Sequence, residues 1–269
     1  MLQSYGITAQ NNNKDIFSLH LEELATLGYS VIPDVLSVEN LEVLRQKIDE
    51  TYQLQVKEIG GEDILEKIAE KNLVRMPLCY DKVFVDLAAN PFFIELVRKV
   101  LGSYFNLHLQ NAIINMPNEK HHQSSWHRDL PYQNFKISKP LAVNILVCID
   151  DFTKETGGTY ILPFSHHLDI IPTEEYILKH SVQVHAKAGS VILMDSMALH
   201  RAGYNSSTMI RRAINHVYVS GIIRQQMNIP AMLNGKYSED TFLRMLLGYD
   251  NPTFGSVKEF RQQRINRLK

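Results

Sequence analysis

The 269 residues carry 28 basic and 29 acidic side chains, a formal net charge of −1, so no global field draws nucleic acid or an anionic membrane. A hydrophobic content of 45% suits an ordinary globular core, and no apolar run approaches the ~20 residues that a membrane span needs. The two cysteines, Cys79 and Cys148, sit in apolar runs, which excludes a disulfide framework or a cysteine-rich zinc module and points to a reducing, cytoplasmic setting.

The opening MLQSYGITAQNNNKD reads as a polar arm without the basic-then-apolar pattern of a leader. A helix is expected after Ser37, a suitable N-cap, because Val38, Leu41, Leu44, Ile48 and Tyr52 recur at three- and four-residue steps. A second helix runs through NPFFIELVRKVLG, with Asn90 as cap, Pro91 at the first position and Gly102 as stop. From residue 105 the pattern changes to short apolar or alternating runs: LHLQNAIINMP, KPLAVNILVCIDD, GGTYILPFSH, SVQVHAKAGSVILMD and RRAINHVYVS. Turn residues separate them, a spacing that suits an all-β sandwich or barrel. Helical character returns after about residue 222. SEDTFLRMLLG has a cap at Ser238 and a stop at Gly248, and SVKEFRQQRINRL forms a basic tail whose Arg261, Arg264 and Arg267 read as a solvated face. With no linker, this organisation is one domain over 1–269: a helical flank at about 16–104, a β core at about 105–220 and a helical flank at about 221–269.

Chemistry enters at SSWHRDLPYQ. In an extended segment residues i and i+2 share a face, so His127 and Asp129 project together. One imidazole and one carboxylate are two-thirds of the facial triad that holds non-haem Fe(II) and leaves three coordination positions open. The chain has eleven histidines, so position must choose the third ligand. His200 ends the strand-like GSVILMDSMALH just before a turn-rich segment, a common setting for functional residues. The next strand opens with Arg211 and Arg212, which must face opposite ways; an arginine turned towards the metal would pair with an acidic cosubstrate through its planar fork.

Taken together, His127-Arg128-Asp129, Gly157-Gly158 followed by LPFSHH, and His200 with Arg211 eleven residues later resemble the phytanoyl-CoA dioxygenase-like branch of the Fe(II)/2-oxoglutarate-dependent oxygenases. LATLGYSVIPDVLSVENLEVLR is similar to the family's N-terminal strand and helix, so the resemblance covers about residues 20–220. It implies a mainly β fold with flanking helices, a double-stranded β-helix (jelly roll) with helices packed on one sheet. It also implies Fe(II) on His127, Asp129 and His200, with 2-oxoglutarate and O2 as cosubstrates and Arg211 on the far carboxylate. The expected reaction hydroxylates an aliphatic C–H of a small molecule and releases succinate and CO2. Three positions depart from the family's pattern: Phe164 where glycine usually follows the proline, Thr156 where asparagine is frequent, and Ala202 where some relatives have serine.

Other polar residues have two readings each. Asn144, inside LAVNILVCI, is a satisfied core amide or a donor to the cosubstrate. Gln110 shares a strand face with Met116, and the resemblance implies a substrate contact there. Arg75, in KNLVRMPLCYD, forms a surface pair or receives an anionic substrate group. The pairs His121-His122 and His166-His167 read as exposed or structural. The retained carboxylate Asp129 favours hydroxylation over halogenation. Desaturation or cyclisation on the same ligands, and a cupin-like jelly roll without 2-oxoglutarate turnover, are the competing readings.

Overall fold

The computed structural model describes residues 15–130, 139–266 and 268, so the N-terminal arm up to residue 14 and Arg267 lie outside the described residues. The first half of the chain supplies α1 (Ser18–Leu27), β1 (Tyr29–Ile32), α2 (Val38–Ile59), α3 (Glu62–Lys67), β2 (Leu73–Arg75), α4 (Lys82–Ala88), α5 (Pro91–Leu101) and β3 (Phe105–Asn115). Then come β4 (Ala142–Cys148), β5 (Tyr160–Ile161), α6 (Glu174–His180), β6 (Val182–Gln183), β7 (Val191–Asp195), β8 (His200–Arg201) and β9 (Arg211–Ser220). The chain closes with α7 (Ile229–Met232), α8 (Thr241–Leu246) and α9 (Val257–Asn266).

A strand covered on both faces needs apolar residues without alternation. β7 and, apart from Asn144, β4 come close to that pattern, whereas β3 carries Asn106, His108, Gln110, Asn111 and Asn115; all three are buried along their whole length. They lie in an antiparallel sheet of order β1-β7-β4-β9-β3-β2, and a smaller sheet of order β6-β5-β8 faces it. This is the expected jelly roll. One face of the large sheet packs on helices: the Tyr218 hydroxyl donates to the Ala88 carbonyl at 2.7 Å, and His216 lies against Phe93. The other face, with Ile113, Leu146, Ile192 and Ala213, joins Phe152, Ile161 and Val184 in a second core.

The expected caps hold for two helices. Ser37 accepts from the Asn40 N–H, and Asn90 accepts from the Phe92 N–H at 2.9 Å ahead of Pro91. Such caps contribute about 1 kcal/mol each. In α5 the burial of Phe93, Ile94, Leu96 and Val97 matters more, at roughly 1.5–3 kcal/mol per large side chain. The cap of α8 is Asp240 rather than the expected Ser238. α9 buries no residue, consistent with a solvated basic face.

Two details locate the site. In β3 the register with β9 shifts between Leu107 and Leu109, so Leu107 pairs with Tyr218 and Leu109 with Val217. Beyond this bulge Asn111 pairs with Asn215 and Gln110 with His216, which sends the odd residues inwards and Gln110 towards the helices. In β9 the same alternation sends Arg211 inwards and Arg212 outwards. Arg212 donates to both carboxylate oxygens of Asp49 on α2 (2.9 and 2.8 Å) and to Asp150 (3.2 Å), while Arg45 reaches Asp150 at 2.6 Å. This network ties α2 to the large sheet. We predict that Arg212→Ala lowers stability by about 1–3 kcal/mol, the range for half-buried hydrogen bonds to charged groups. Urea unfolding checks this, and an unchanged midpoint would show that the network contributes nothing net.

Candidate active site

His127 and His200 are 73 positions apart but pair through the main chain. The His127 N–H donates to the His200 carbonyl at 3.0 Å, and the His200 N–H donates back at 3.1 Å. Two residues on, the Asp129 N–H donates to the Ser196 carbonyl at 3.0 Å. The segment at His127 is thus an isolated bridge rather than a full strand, yet extended enough to turn His127 and Asp129 to one side. The Asp129 Oδ1 atom lies 3.5 Å from His127 Nε2 and 3.6 Å from His200 Nε2, and the three ligand atoms lie within 4.8 Å of one another. Neighbouring ligands of an octahedral ion sit about 3 Å apart for bonds near 2.1 Å, so a modest closure completes a coordination face. The ring tautomers agree: each Nδ1 lies beside the carbonyl two residues earlier, Ser125 at 2.8 Å and Ala198 at 3.0 Å. With Nδ1 donating there, Nε2 of both rings offers its lone pair to a metal.

Burial works against charge on Asp129. His200 and His127, with the amides of Asn144 and Asn215, outweigh it and hold the carboxyl below its ordinary range. Burial also lowers the pKa of His200 and keeps that ring neutral, as a ligand must be. Asn144 donates to Asp129 Oδ2 and to Asn215 Oδ1, and the Ser196 hydroxyl donates to Asn144 Oδ1. Asn215 donates to the same Asp129 oxygen at 3.1 Å. Both amide protons of Asn144 are therefore used. It orients the acidic ligand, which corrects the reading of Asn144 as a donor to the cosubstrate. Asn215 and Ser196 were not singled out in the sequence. Alternation from Arg211 gives the inward face of Asn215, but nothing in the sequence marks Ser196.

Arg211 lies behind the metal ligands. A narrow inner chamber of about 30 Å³ joins it to His127, Asp129 and His200, with Leu146 and Met194 in the wall. Its guanidinium stacks on Phe152 at 4.4 Å and donates to the Gly157 carbonyl at 2.9 Å, while Nε is buried without a partner. Burial pushes its pKa down to about 10, still cationic at neutral pH. A buried cation needs an anion, and among the described residues no carboxylate pairs with Arg211. Ala202 also lines this chamber and offers it no hydroxyl.

An outer chamber of about 300 Å³ meets the inner one at His127 and Asp129. Arg75 lines it, but Nε and Nη2 are taken by Glu70 at 2.9 and 2.7 Å. Gln110 is not brought to the site. Its Nε2 donates to the Phe84 carbonyl at 2.8 Å and its Oε1 accepts from the Leu78 N–H at 2.9 Å, on the helix side of β3. The expected substrate contact at Gln110 is thus corrected, because the bulge and the pairing with His216 turn it away. His121 and His166 are buried, and neither belongs to the cluster of His127, Asp129 and His200. Burial pushes the His121 pKa down to about 3.

A jelly roll carrying His-x-Asp, a distal histidine and a buried, uncompensated arginine defines a non-haem iron, 2-oxoglutarate-dependent dioxygenase. Residues 25–213 match the phytanoyl-CoA dioxygenase (PhyH) family, and the chain belongs to that family. The uncharacterized protein Rv1501 of Mycobacterium tuberculosis is 30% identical over 257 residues, 92% of each chain. Among solved structures, EctD from S. alaskensis with 2-oxoglutarate and 5-hydroxyectoine superposes with a TM-score of 0.67 at 19% identity, covering 81% of each chain. The epimerase SnoN in complex with Fe3+, alpha ketoglutarate and nogalamycin RO gives 0.59 at 19% identity, over 76% of this chain and 84% of that one. No helix among the described residues is long and apolar enough to cross a membrane.

The turn that delivers His200 begins at Asp195, whose Oδ1 accepts from the Met197 N–H at 2.8 Å. Burial pushes the Asp195 pKa up to about 6, against the pull of that N–H, His167 and Arg128. An acid raised in the folded state stabilises below its unfolded pKa, and that contribution is lost as pH rises through the folded one. Asp195→Asn keeps an acceptor for Met197 and does not titrate. Its melting temperature should gain on the parent's between about pH 4 and pH 7, with little further change above. A difference independent of pH over that range would contradict the assignment.

Proposed function

We propose that this chain hydroxylates an aliphatic C–H bond of a small molecule, with Fe(II), 2-oxoglutarate and O2, releasing succinate and CO2. The observation that carries the reading is Arg211, a buried guanidinium with a partnerless Nε and, among the described residues, no paired carboxylate, at the end of a chamber that begins at His127, Asp129 and His200. A dicarboxylate that chelates the metal with one end supplies the missing anion with the other. A cupin-like enzyme without 2-oxoglutarate has no use for such a cation.

The donor set fits the metal: two neutral imidazoles with free Nε2 atoms and one carboxylate, all converging. His127, Asp129 and His200 hold Fe(II), which with 2-oxoglutarate supplies the oxidising power to replace a C–H hydrogen by hydroxyl when bound. The protein's part is to bind, orient and shield. Asn144 and Asn215 both engage Asp129 Oδ2, which leaves Oδ1 facing the two imidazoles. Arg211 fixes the direction of the cosubstrate, and Leu146, Met194 and Ile113 keep water from the inner chamber. Because the Asp129 position holds a carboxylate, no place is left there for a halide. The unpaired thiols of Cys79 and Cys148 suit a reducing, cytoplasmic setting.

Three variants test the assignment by anaerobic titration. His200→Ala should lose Fe(II) binding, read from the weak visible charge-transfer band with 2-oxoglutarate. Arg211→Ala should keep the metal but weaken 2-oxoglutarate by about 2–5 kcal/mol, the range for truncating a buried charge pair. Arg212→Ala should bind both as the parent does. Equal damage from the two arginine variants would sink the assignment of Arg211. Once a substrate is found, labelled O2 distinguishes hydroxylation, which adds one labelled oxygen, from desaturation or cyclisation, which removes two hydrogens.

A further inference from the structure

The outer chamber contains ionisable groups, but the protein itself compensates each of them. Arg75 gives two nitrogens to Glu70, and with the Asn111 amide turned to face it, its Nη1 donates to the Asn111 oxygen at 3.1 Å. The Arg128 guanidinium donates to the carbonyls of Ser165 (3.1 Å) and Leu168 (2.7 Å), and the carboxylates of Asp195 and Asp169 act on its charge. Burial, and then Arg75, push the His122 pKa down to about 4, so this ring is neutral at physiological pH. Asp129 belongs to the metal. Among the described lining residues this leaves no free charge for a substrate.

Neutral hydrogen-bonding groups remain. The side-chain amides of Gln123 and Gln226 and the hydroxyl of Ser125 line the chamber, and no protein group is bonded to them among the described residues. His122 Nδ1 is buried without a partner. Amides and hydroxyls that can both donate and accept match a ligand whose groups do the same. The chamber's roughly 300 Å³ lies at the lower end of small-molecule sites, ~300–1,000 Å³. Gln226 comes from the segment after β9, beyond residue 213 where the family match ends.

We propose that the part of the substrate entering the outer chamber is uncharged and rich in hydroxyl groups, a polyol or sugar ring held by Gln123, Gln226, Ser125 and His122, with Arg75 and Glu70 a closed pair in the wall. This rests on the reading of the inner chamber as the 2-oxoglutarate site. An anionic substrate would have to compete with Glu70 for Arg75. A cationic one finds no carboxylate in the described lining except the metal ligand.

A ring series that varies only charge tests the proposal. Methyl glucoside, glucuronate and glucosamine are compared by saturation-transfer NMR on the full chain loaded with 2-oxoglutarate and a redox-inert divalent metal. Competition among the three sets their order. We expect methyl glucoside to bind at least several-fold better than either charged ring, and Gln226→Ala, at an exposed position, to lose most of that signal. Titration of 2-oxoglutarate is run beside it and should be the same in parent and variant. A preference for glucuronate that Arg75→Ala removes would overturn the proposal in favour of an anion site, and so would equal binding of all three rings. Failure of 2-oxoglutarate to bind the parent would instead overturn the reading of the inner chamber, whichever ring binds.

Discussion

The site depends on two main-chain hydrogen bonds, the reciprocal pair between His127 and His200. They join segments 73 residues apart and set the two backbones at the spacing of an antiparallel bridge. Each ring then takes its direction from its own strand, because its Nδ1 lies beside the carbonyl two residues earlier. Ligand orientation is therefore a property of the local backbone, and the sheet holds that backbone. Asp129 enters the same frame through its N–H to Ser196, and its side chain is held by amides from β4 and β9. Ligands fixed in this way lose little conformational entropy on binding a metal.

A second constraint is the crossing of the glycine turn with the segment after β8. A Cβ on Gly157 would lie 2.5 Å from the Gly203 carbonyl oxygen, and one on Gly203 would lie 2.4 Å from that of Gly158. No side chain fits at either position. Gly157 also has φ +76°, which favours glycine. The close approach brings the Gly157 carbonyl to Arg211 and the Gly203 carbonyl to Asn115 Nδ2. At Phe164, where the resemblance leads one to expect glycine, φ is +64°, a left-handed conformation costing a non-glycine residue about 1–2 kcal/mol. The resemblance located this turn, and the geometry explains why glycine is the usual occupant.

The cluster of His127, Asp129 and His200 is legible in the sequence because the His-x-Asp spacing is local and its chemistry specific. His-x-Asp needs only an extended backbone, and His200 and Arg211 stand in register with it. The faces of β3 were harder. Period-2 alternation sorts residues into two sets but does not say which set faces the site, and a bulge at Leu107/Leu109 resets the phase within the strand. Gln110 was assigned to the site and faces the helices, while Asn111, its neighbour, lines the outer chamber. Gln226 was invisible for another reason. It reaches the chamber from a segment whose path depends on the packing of the C-terminal flank, with no periodic signal of its own.

The two faces of the large sheet also show how a buried polar residue can be read. On the helix face such groups are answered by the protein: Gln110 by a carbonyl and an N–H, Tyr218 by the Ala88 carbonyl. His216 leaves Nε2 without a partner, but burial pushes its pKa down to about 4, so the neutral ring forgoes one hydrogen bond and carries no charge. On the inner face Asn144 and Asn215 are answered by a metal ligand. Arg211 alone among these residues keeps a charge that no carboxylate of the described residues pairs with. An unmet hydrogen bond costs about 1–3 kcal/mol, and an unmet buried charge costs several times that. The fold tolerates the first without a ligand. The second calls for an anion from outside the protein, and this is why Arg211, rather than the more abundant buried amides, carries the proposed function.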